Sequence, residues 1–246
     1  MTITKEPKSG TGTRRVWPLP GSPTEYVPPL QSGDRLTRRE FERRYEAAPE
    51  KLKAELVEGV VYMASPISID HARPHGFVMG WLSAYMAATP GVDIADNLTI
   101  RLDADNEVQP DALLRIEKER GGRSVVGENG YLEGAPELIV EIAATSASYD
   151  LHDKLRAYRR NGVREYIVWQ VYDRKVDWFE LKEGEYAPLA PDAEGVVHSK
   201  IFPGLRLAVK PLLEGDLAAV LAELQKGLVT PEHAGFVERL KNPSTD

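Results

Sequence analysis

Cysteine is absent from the 246-residue sequence. Without thiols the chain forms no disulfide, no thiolate zinc site and no cysteine nucleophile. Any metal ion must therefore be bound by oxygen or imidazole ligands. A chain without cysteine suits a reducing compartment, and we predict a cytoplasmic protein.

Long apolar runs are also missing, since the longest ones contain only a few residues. A membrane-spanning helix needs roughly 20 predominantly apolar residues. The proline-rich first residues lack the apolar block of a secretory signal. We therefore predict no membrane insertion and no secretion.

Positive charge is in deficit, and the formal net charge is −7. Phosphate affinity comes largely from Lys and Arg, so this balance argues against broad, non-specific binding of nucleic acid. Two predicted helices still carry arginine clusters. Each cluster could contact a nucleic-acid backbone locally, although such a cluster is more commonly a solvated helix face. The clusters are Arg38, Arg39, Arg43 and Arg44 on one helix and Arg156, Arg159 and Arg160 on the other.

Composition divides the chain into three parts. Residues 1–30 are rich in Gly, Pro, Ser and Thr and bury too little apolar surface to offset the entropy of ordering, which predicts a disordered or extended segment. Residues 31–210 mix strand and helix patterns and predict one α/β domain. Residues 211–246 carry helix-like patterns and predict a C-terminal helical extension.

The first half of the central part predicts two helices and four strands. One helix runs from Thr37 to about Ala48, and Glu58-Gly59 predicts the turn of a β-hairpin in AELVEGVVYMAS. A second helix covers residues 70–88, with apolar residues at helical spacing. Two strands at 97–102 and 107–116, separated by the run DADN, should pair antiparallel.

The second half predicts a crossover between parallel strands. Residues 137–144, ELIVEIAA, form a nearly continuous apolar run that is typical of a strand buried on both faces. A helix at 150–160, ended by Gly162, leads to a second buried strand at 165–171. Hairpin and edge strands between 174 and 209 should extend the sheet.

Two acids stand out because they lie within apolar strands. Glu141 lies inside LIVEIAA, where a buried carboxylate costs several kcal/mol unless another group neutralises it. Asp111 follows Pro110, and a proline inside a strand indicates an edge or bulge that re-aims a side chain. On neighbouring strands the two carboxylates would converge and favour Mg²⁺ or Mn²⁺ between them. The alternatives are an ion pair of Glu141 with an arginine and a solvated turn position for Asp111.

Lys154 lies on the helix after the Glu141 strand, one turn beyond Asp150. Considered alone, it would be a surface lysine. Beside an acidic pair, its ammonium group could orient an attacking water or stabilise charge on a phosphate. Asp150 either supports this site or caps the helix N-terminus.

These segments together resemble the Uma-two family of restriction endonucleases, within the PD-(D/E)XK nuclease superfamily. The resemblance spans residues 34–182 and is carried by ELVEG, VQPD, GAPELIVE and KLRAYRRNGVREYIVW. It implies an α/β fold with a restriction-endonuclease-like mixed sheet flanked by helices, an N-terminal β-hairpin and extra edge strands. It also implies Mg²⁺-dependent hydrolysis of phosphodiester bonds.

The resemblance implies roles for the acids and the lysine. Asp111 matches the motif aspartate and Glu141 the acid of the third core strand, so both become the expected metal ligands. The superfamily lysine two positions later is absent, because Ala143 stands there. In the Uma-two pattern this lysine has moved to the following helix, where Lys154 lies, and we expect Asp111, Glu141 and Lys154 to be catalytic.

Three further residues match the family pattern. His71 matches a typical histidine that would contact a phosphate or the attacking water. Glu55 and Glu58 match hairpin acids, of which Glu55 would reach the metal through water. A plain helix-terminus histidine and a solvated hairpin acid are the alternatives. The family's proline-containing turn after the strand acid is replaced by AATSAS at residues 143–148, which would place the lysine helix less firmly.

Three functions follow as hypotheses. The first is a Mg²⁺- or Mn²⁺-dependent endonuclease that acts on DNA, expected as a homodimer. The second is a nuclease fold that has lost catalysis and serves a protein partner, which the negative charge and the altered turn favour. The third, a glycosidase-like carboxylate pair, lacks both a recognisable sugar cleft and an acid marked by a raised pKa.

Overall fold

The structure, a computed structural model, describes residues 26–64, 66–144 and 146–243. Most of the predicted disordered segment 1–30 therefore lies outside the described residues. The helices are α1 (Arg38–Glu46), α2 (Ile69–Ala87), α3 (Ala147–Tyr149), α4 (Leu155–Asn161), α5 (Val209–Glu214), α6 (Leu217–Leu228) and α7 (Pro231–Lys241). The strands are β1 (Ala54–Val57), β2 (Val60–Met63), β3 (Val92–Ala95), β4 (Ile100–Asp103), β5 (Asn106–Val108), β6 (Ala112–Ile116), β7 (Val125–Val126), β8 (Leu132–Glu133), β9 (Leu138–Ala143), β10 (Glu165–Gln170), β11 (Lys175–Lys182), β12 (Glu185–Pro188), β13 (Val196–His198) and β14 (Arg206–Ala208).

Two six-stranded sheets organise the described chain. The central sheet has the order β12-β11-β10-β9-β6-β3, and the hairpin sheet has the order β2-β1-β5-β4-β8-β7. In the central sheet β9 and β10 are parallel, whereas the other neighbouring pairs are antiparallel. The predicted mixed α/β fold with a crossover between parallel strands is thus confirmed.

The predicted hairpin forms as expected, with β1 paired to β2 in antiparallel register. Its turn places Glu58 at φ 49° and Gly59 at φ 74°. Two successive positive φ angles match the twist of a two-residue hairpin turn. The outer hairpin repeats this geometry at Glu183 and Gly184, with φ 51° and 82°.

The single strand predicted at 107–116 is wrong. It divides into β5, which pairs with β1 and β4 in the hairpin sheet, and β6, which pairs with β3 and β9 in the central sheet. Pro110 lies in the interruption and has no N–H to donate to a ladder. The break passes the chain from one sheet to the other and leaves Asp111 at the junction.

The prediction that residues 196–209 extend the main sheet is also wrong. β13 and β14 pair with each other as a separate two-stranded sheet. The helices predicted after residue 210 are present as α6 and α7, although the domain boundary at 210 stays a prediction. Within the described ranges, no helix qualifies as a membrane-spanning segment.

The central sheet separates two apolar cores. Val140 and Ile142 of β9 point to the core shared with α2, α6 and α7, whereas Ile139 and Ala143 point to the core shared with α4. Side chains alternate along a strand, so Glu141 faces the α4 side with Ile139 and Ala143. A carboxylate thus occupies a position where the pattern would place an apolar side chain.

Candidate active site

The residues predicted for the site come from five separate parts of the chain. β1 carries Glu55, β9 carries Glu141, and the first turn of α2 carries His71. Asp111 lies in the break before β6, while Asp150 and Lys154 bound a π-helical segment between α3 and α4. Direct contacts join Glu55, Lys154 and Glu141, and separately His71 and Asp111, while the charges of Asp111 and Asp150 act on Glu141.

Lys154 is buried, and its side chain is only 5% exposed. Its Nζ lies 2.9 Å from Glu141 Oε1 and 3.0 Å from Glu55 Oε2. Considered alone, Lys154 would be a surface lysine, but the structure places it in the interior. One ammonium group joins the hairpin sheet to the central sheet through two carboxylates.

The π-helical segment Asp150–Lys154 explains how Lys154 turns inward. A π-helical turn widens the helix and shifts the residues after it, so Asp150 and Lys154, one turn apart, both face the interior. The Tyr166 hydroxyl donates to the Asp150 carbonyl oxygen at 3.0 Å and fastens this segment to β10. Tertiary contacts thus hold the lysine in a region where the family's proline is missing.

Glu141 receives two donors on the same oxygen. Lys154 Nζ and the Tyr158 hydroxyl, at 2.7 Å, both donate to Oε1. Tyr158 was not among the residues that the sequence suggested. It lies four positions after Lys154, on the same helix face, and this i,i+4 spacing is the signal that could have identified it.

Asp111 lies beside Glu141 across the β6–β9 ladder, where Ala112 pairs with Val140. Asp111 Oδ2 accepts from the Ile142 backbone N–H at 2.7 Å. The strands that carry the two acids are therefore neighbours, as the convergence hypothesis requires. The charge of Asp111 is close enough to raise the pKa of Glu141.

Two histidines of α2 contact Asp111. His71 Nε2 lies 3.1 Å from Asp111 Oδ1, and His75 Nε2 lies 2.8 Å from the Asp111 carbonyl oxygen. The hydrogen bond to Asp111 raises the pKa of His71, against the effect of burial. His75 has no counterpart in the family pattern, and its role becomes visible only in the fold.

Asp150 is buried, and its Oδ2 accepts from Ser146 Oγ at 2.5 Å. The helical segment begins before it, at Ala147, so Asp150 does not cap the helix. Burial raises the pKa of Asp150 to about 6, while Lys154 opposes that rise. Glu55 is held from the other side, because its Oε1 accepts from the Gln109 backbone N–H at 2.6 Å.

The cluster carries more negative than positive groups. Four carboxylates, those of Glu55, Asp111, Glu141 and Asp150, face the amine of Lys154 and the imidazole of His71. Burial and then the neighbouring acids raise the pKa of Glu141 well above its usual range, although Lys154 opposes this. Burial favours the neutral amine of Lys154, but the surrounding carboxylates outweigh it and raise its pKa well above normal. The four carboxylates therefore outnumber the two groups that can carry positive charge.

Two buried polar atoms at the cluster have no hydrogen-bond partner among the described residues. They are His71 Nδ1 and the Tyr149 hydroxyl. The Tyr149 ring centroid lies 5.4 Å from Lys154 Nζ, and His71 contacts Asp111. Unsatisfied buried groups cost about 1–3 kcal/mol each, which points to a ligand or water that completes the site.

The donor set suits a hard divalent cation in an open site. Within residues 26–64, 66–144 and 146–243, no three acidic or histidine side chains converge into a complete metal cage. Mg²⁺ typically needs only one or two carboxylates, with waters and substrate oxygens as the other ligands. Asp111 and Glu141, with their surplus of negative charge, fit that pattern.

The arginine clusters near the site are largely engaged by acids. Arg156 Nη2 lies 2.9 Å from Glu58 Oε2, and Arg160 Nη2 lies 3.2 Å from Asp103 Oδ2. On α1, Arg44 Nε lies 2.7 Å from Glu40 Oε1. These faces therefore present less positive charge to a nucleic-acid backbone than the sequence suggests.

Comparison with known proteins agrees with this fold. A crystal structure from Anabaena variabilis, described as a "putative nuclease belonging to DUF820", aligns with a TM-score of 0.59 and 16% identity over 73% of this chain and 98% of that chain. At that identity the likeness shows the fold alone. No curated protein matches the sequence. The model of the Uma-two family (Uma2, "Putative restriction endonuclease") matches residues 38–210, which include every residue of the cluster, and the chain therefore belongs to this family.

Proposed function

We propose that the protein is a metal-dependent endonuclease that hydrolyses phosphodiester bonds of DNA, with Mg²⁺ as the metal. The observation that carries the proposal is the buried ammonium of Lys154, held between Glu141 and Glu55 beside Asp111. Restriction-endonuclease-like families generally use divalent ions, which agrees with the carboxylate surplus.

The chain's own groups have distinct tasks in this proposal. Asp111 and Glu141 would hold the ion, which when bound lowers the pKa of a coordinated water and polarises the phosphoryl group. Lys154 orients the water and stabilises negative charge on the phosphate oxygens. Glu55 fixes the amine from the side opposite Glu141, and His71 orients Asp111. His71 Nδ1, which has no protein partner among the described residues, is available to a phosphate oxygen.

A purely structural ion pair explains the cluster less well. A buried pair needs one acid for each lysine, and adding further buried acids raises the desolvation cost without adding a cation. Here Lys154 contacts two acids, while Asp111 and Asp150 lie close enough for their charges to raise the pKa of Glu141. A fold selected only for stability would gain by replacing one acid with an apolar residue.

The second candidate is an interaction module without catalysis. The engaged arginines of α1 and α4 and the net charge of −7 favour it, because both weaken the attraction of a phosphate backbone. Under this alternative the cluster binds a metal yet the protein cleaves nothing. The homodimer and the cytoplasmic location stay predictions that analytical ultracentrifugation and cell fractionation would test.

Metal binding and cleavage can be tested on the same set of variants. Saturating Mn²⁺ or Mg²⁺ should raise the melting temperature by about 8 °C, since a ligand at 100 times its Kd adds about 2.7 kcal/mol. Asp111→Asn and Glu141→Gln should remove that shift and lower cleavage of supercoiled plasmid by about 100-fold or more. Glu165→Gln, a buried acid of the adjacent strand, is the matched control and should keep the shift. No shift for the wild type with either ion would contradict the proposal, whereas a shift without cleavage of DNA or RNA would favour the interaction module.

A further inference from the structure

A cleft of about 290 Å³ lies between the start of α2, the end of β10 and the end of α5. Its floor includes Pro74, Phe77 and Trp169. Its outer wall includes Leu212 and Leu213, which lie beyond the region matched by the family model. This α2–α5 cleft is separate from the carboxylate cluster but borders the same end of the central sheet.

The cleft carries positive charge that the protein leaves available. Arg73 and Arg174 line it, both are exposed, and neither side chain bonds to any described residue. Of the two acids in the lining, Asp70 accepts from the Tyr172 hydroxyl at 3.2 Å and keeps its charge, while Glu214 lies 3.9 Å from Lys210. The guanidinium groups of Arg73 and Arg174 remain available for phosphate oxygens, whose geometry they match.

An exposed aromatic ring borders the same cleft. Tyr172 is 62% exposed, and Ile67 and Ile69 near the start of α2 are 59% and 65% exposed. Large apolar side chains exposed together indicate a contact surface. An aromatic ring beside arginines is the arrangement on which unpaired nucleobases stack while the guanidinium groups hold the backbone.

The chain connects this surface directly to the candidate active site. Asp70, bonded to Tyr172, precedes His71, which contacts Asp111. Trp169 of the floor pairs with Ile142, and both side chains lie on the face of the central sheet opposite Glu141. A strand leaving the cleft would therefore reach the carboxylate cluster by crossing the end of the sheet beside Asp70 and His71.

We propose that the α2–α5 cleft binds one unpaired strand of nucleic acid and leads it to the Asp111–Glu141 centre. A single strand is favoured over a duplex, because stacking on Tyr172 requires bases that are not paired. The direction of the strand rests on the proposed nuclease function, whereas the binding site itself does not.

Fluorescence anisotropy in EDTA tests binding without hydrolysis. A labelled oligothymidylate of about 20 nucleotides should bind the wild type more tightly than a duplex of equal length. Tyr172→Ala should weaken binding about ten-fold, while Tyr172→Phe, which keeps the ring and loses the bond to Asp70, should bind like the wild type. Replacing Arg73 and Arg174 with Ala should reduce the slope of log Kd against log salt by about 1.4, or about 0.7 for each phosphate contact.

Arg39→Ala is the matched control, because Arg39 is an exposed arginine on α1, a helix that does not line the cleft. It should change neither the affinity nor the salt slope. Equal or tighter binding of the duplex, equal losses for Tyr172→Ala and Arg39→Ala, or no binding of nucleic acid would overturn the cleft assignment. The Mn²⁺ melting shift of the same variants separates the two proposals. A retained shift without strand binding removes only the cleft, and strand binding without a shift removes only the metal centre.

Discussion

Glu141 and Glu165 are glutamates buried in the neighbouring parallel strands β9 and β10, yet their surroundings differ. Glu165 receives two donors on each oxygen, from Lys200 and Ile201 backbone N–H groups on Oε1 and from Ser199 Oγ and Trp178 Nε1 on Oε2. Burial raises its pKa to about 7 although all four donors oppose the rise. Its hydrogen bonds attach the segment after β13 to the central sheet.

Glu141 has both of its donors on one oxygen and further acids around it. No described residue donates to its Oε2, and His71 Nδ1 and the Tyr149 hydroxyl nearby lack partners. A carboxylate with a complete set of donors is a structural anchor. A carboxylate that has surplus negative charge around it and an oxygen without a donor is suited to bind a ligand.

The largest expected effect comes from removing the cation of the Glu141 cluster. Lys154→Met should lower the free energy of unfolding by about 3–5 kcal/mol, because it leaves buried carboxylates without their partner. Urea denaturation in EDTA measures this loss. The double variant with Glu141→Gln should recover part of it, and Lys175→Met, which removes an exposed amine paired with Asp177, should stay within about 0.5 kcal/mol of wild type. Equal losses for the two lysine variants would mean that the cluster is no more than a surface network.

The surplus of negative charge in the cluster can be tested by measuring how the free energy of unfolding of Asp150→Asn depends on pH. The Asp150 pKa is raised to about 6 by burial, so its favourable contribution is complete below the unfolded value near 3.8 and is lost as pH rises through 6. The neutral variant lacks this loss and should match the wild type near pH 3.5. By pH 8 it should be about 2–3 kcal/mol more stable, as chemical denaturation in EDTA would measure. A less stable variant at pH 8 would show that Lys154 needs this charge.

Because Glu165 has a structural role, its substitution should lower stability and leave metal binding unchanged, whereas substitution of Glu141 should do the reverse. Glu165→Gln turns an NH₂ group toward two donors and should lower stability by about 2 kcal/mol, or the melting temperature by about 6 °C. Glu141→Gln keeps an acceptor for Lys154 and Tyr158 and should cost less than about 1 kcal/mol. Differential scanning calorimetry with and without Mn²⁺ compares them. A loss of the metal response in Glu165→Gln, or a lower stability of Glu141→Gln than of Glu165→Gln, would contradict the different roles assigned to the two glutamates.

The smallest expected effect concerns the hydroxyl on Glu141. Tyr158→Phe should lower stability by about 1 kcal/mol, because Lys154 still donates to the same oxygen. Tyr186→Phe removes a hydroxyl that donates to the neutral Val163 carbonyl in the same core, and it should cost about half as much. Parallel urea titrations decide the order, and a larger loss for Tyr186→Phe would mean that Tyr158 does not stabilise a charged Glu141.

The sequence correctly predicted those features that depend on short local patterns. The turn at Glu58-Gly59, the buried run around Glu141 and the glycine cap at Gly162 were each visible as short patterns, and each is present. The strand predicted at 107–116 was wrong, because a continuous apolar pattern does not reveal that Pro110 passes the chain between two sheets. Strands 196–209 were assigned to the main sheet for a related reason, since edge pairing depends on distant partners.

The candidate site divides along the same line. Residue type and family resemblance selected Asp111, Glu141 and Lys154, and their catalytic roles stay predictions. The contacts of Tyr158 and His75, and the inward turn of Lys154, follow from a π-helical segment and from strand register. Neither feature leaves a dependable mark in one sequence.

By itself the sequence determined which groups the protein possesses: carboxylates in apolar strands, a lysine on the next helix, and no thiol to compete for a metal. Tertiary structure alone decided that Glu141 and Glu55 contact one buried amine, with Asp111 and Asp150 nearby, while Glu165 receives a full set of donors. The physical reason is that burial makes an acid costly in either place, whereas its neighbours, brought from distant parts of the chain, determine how that cost is offset.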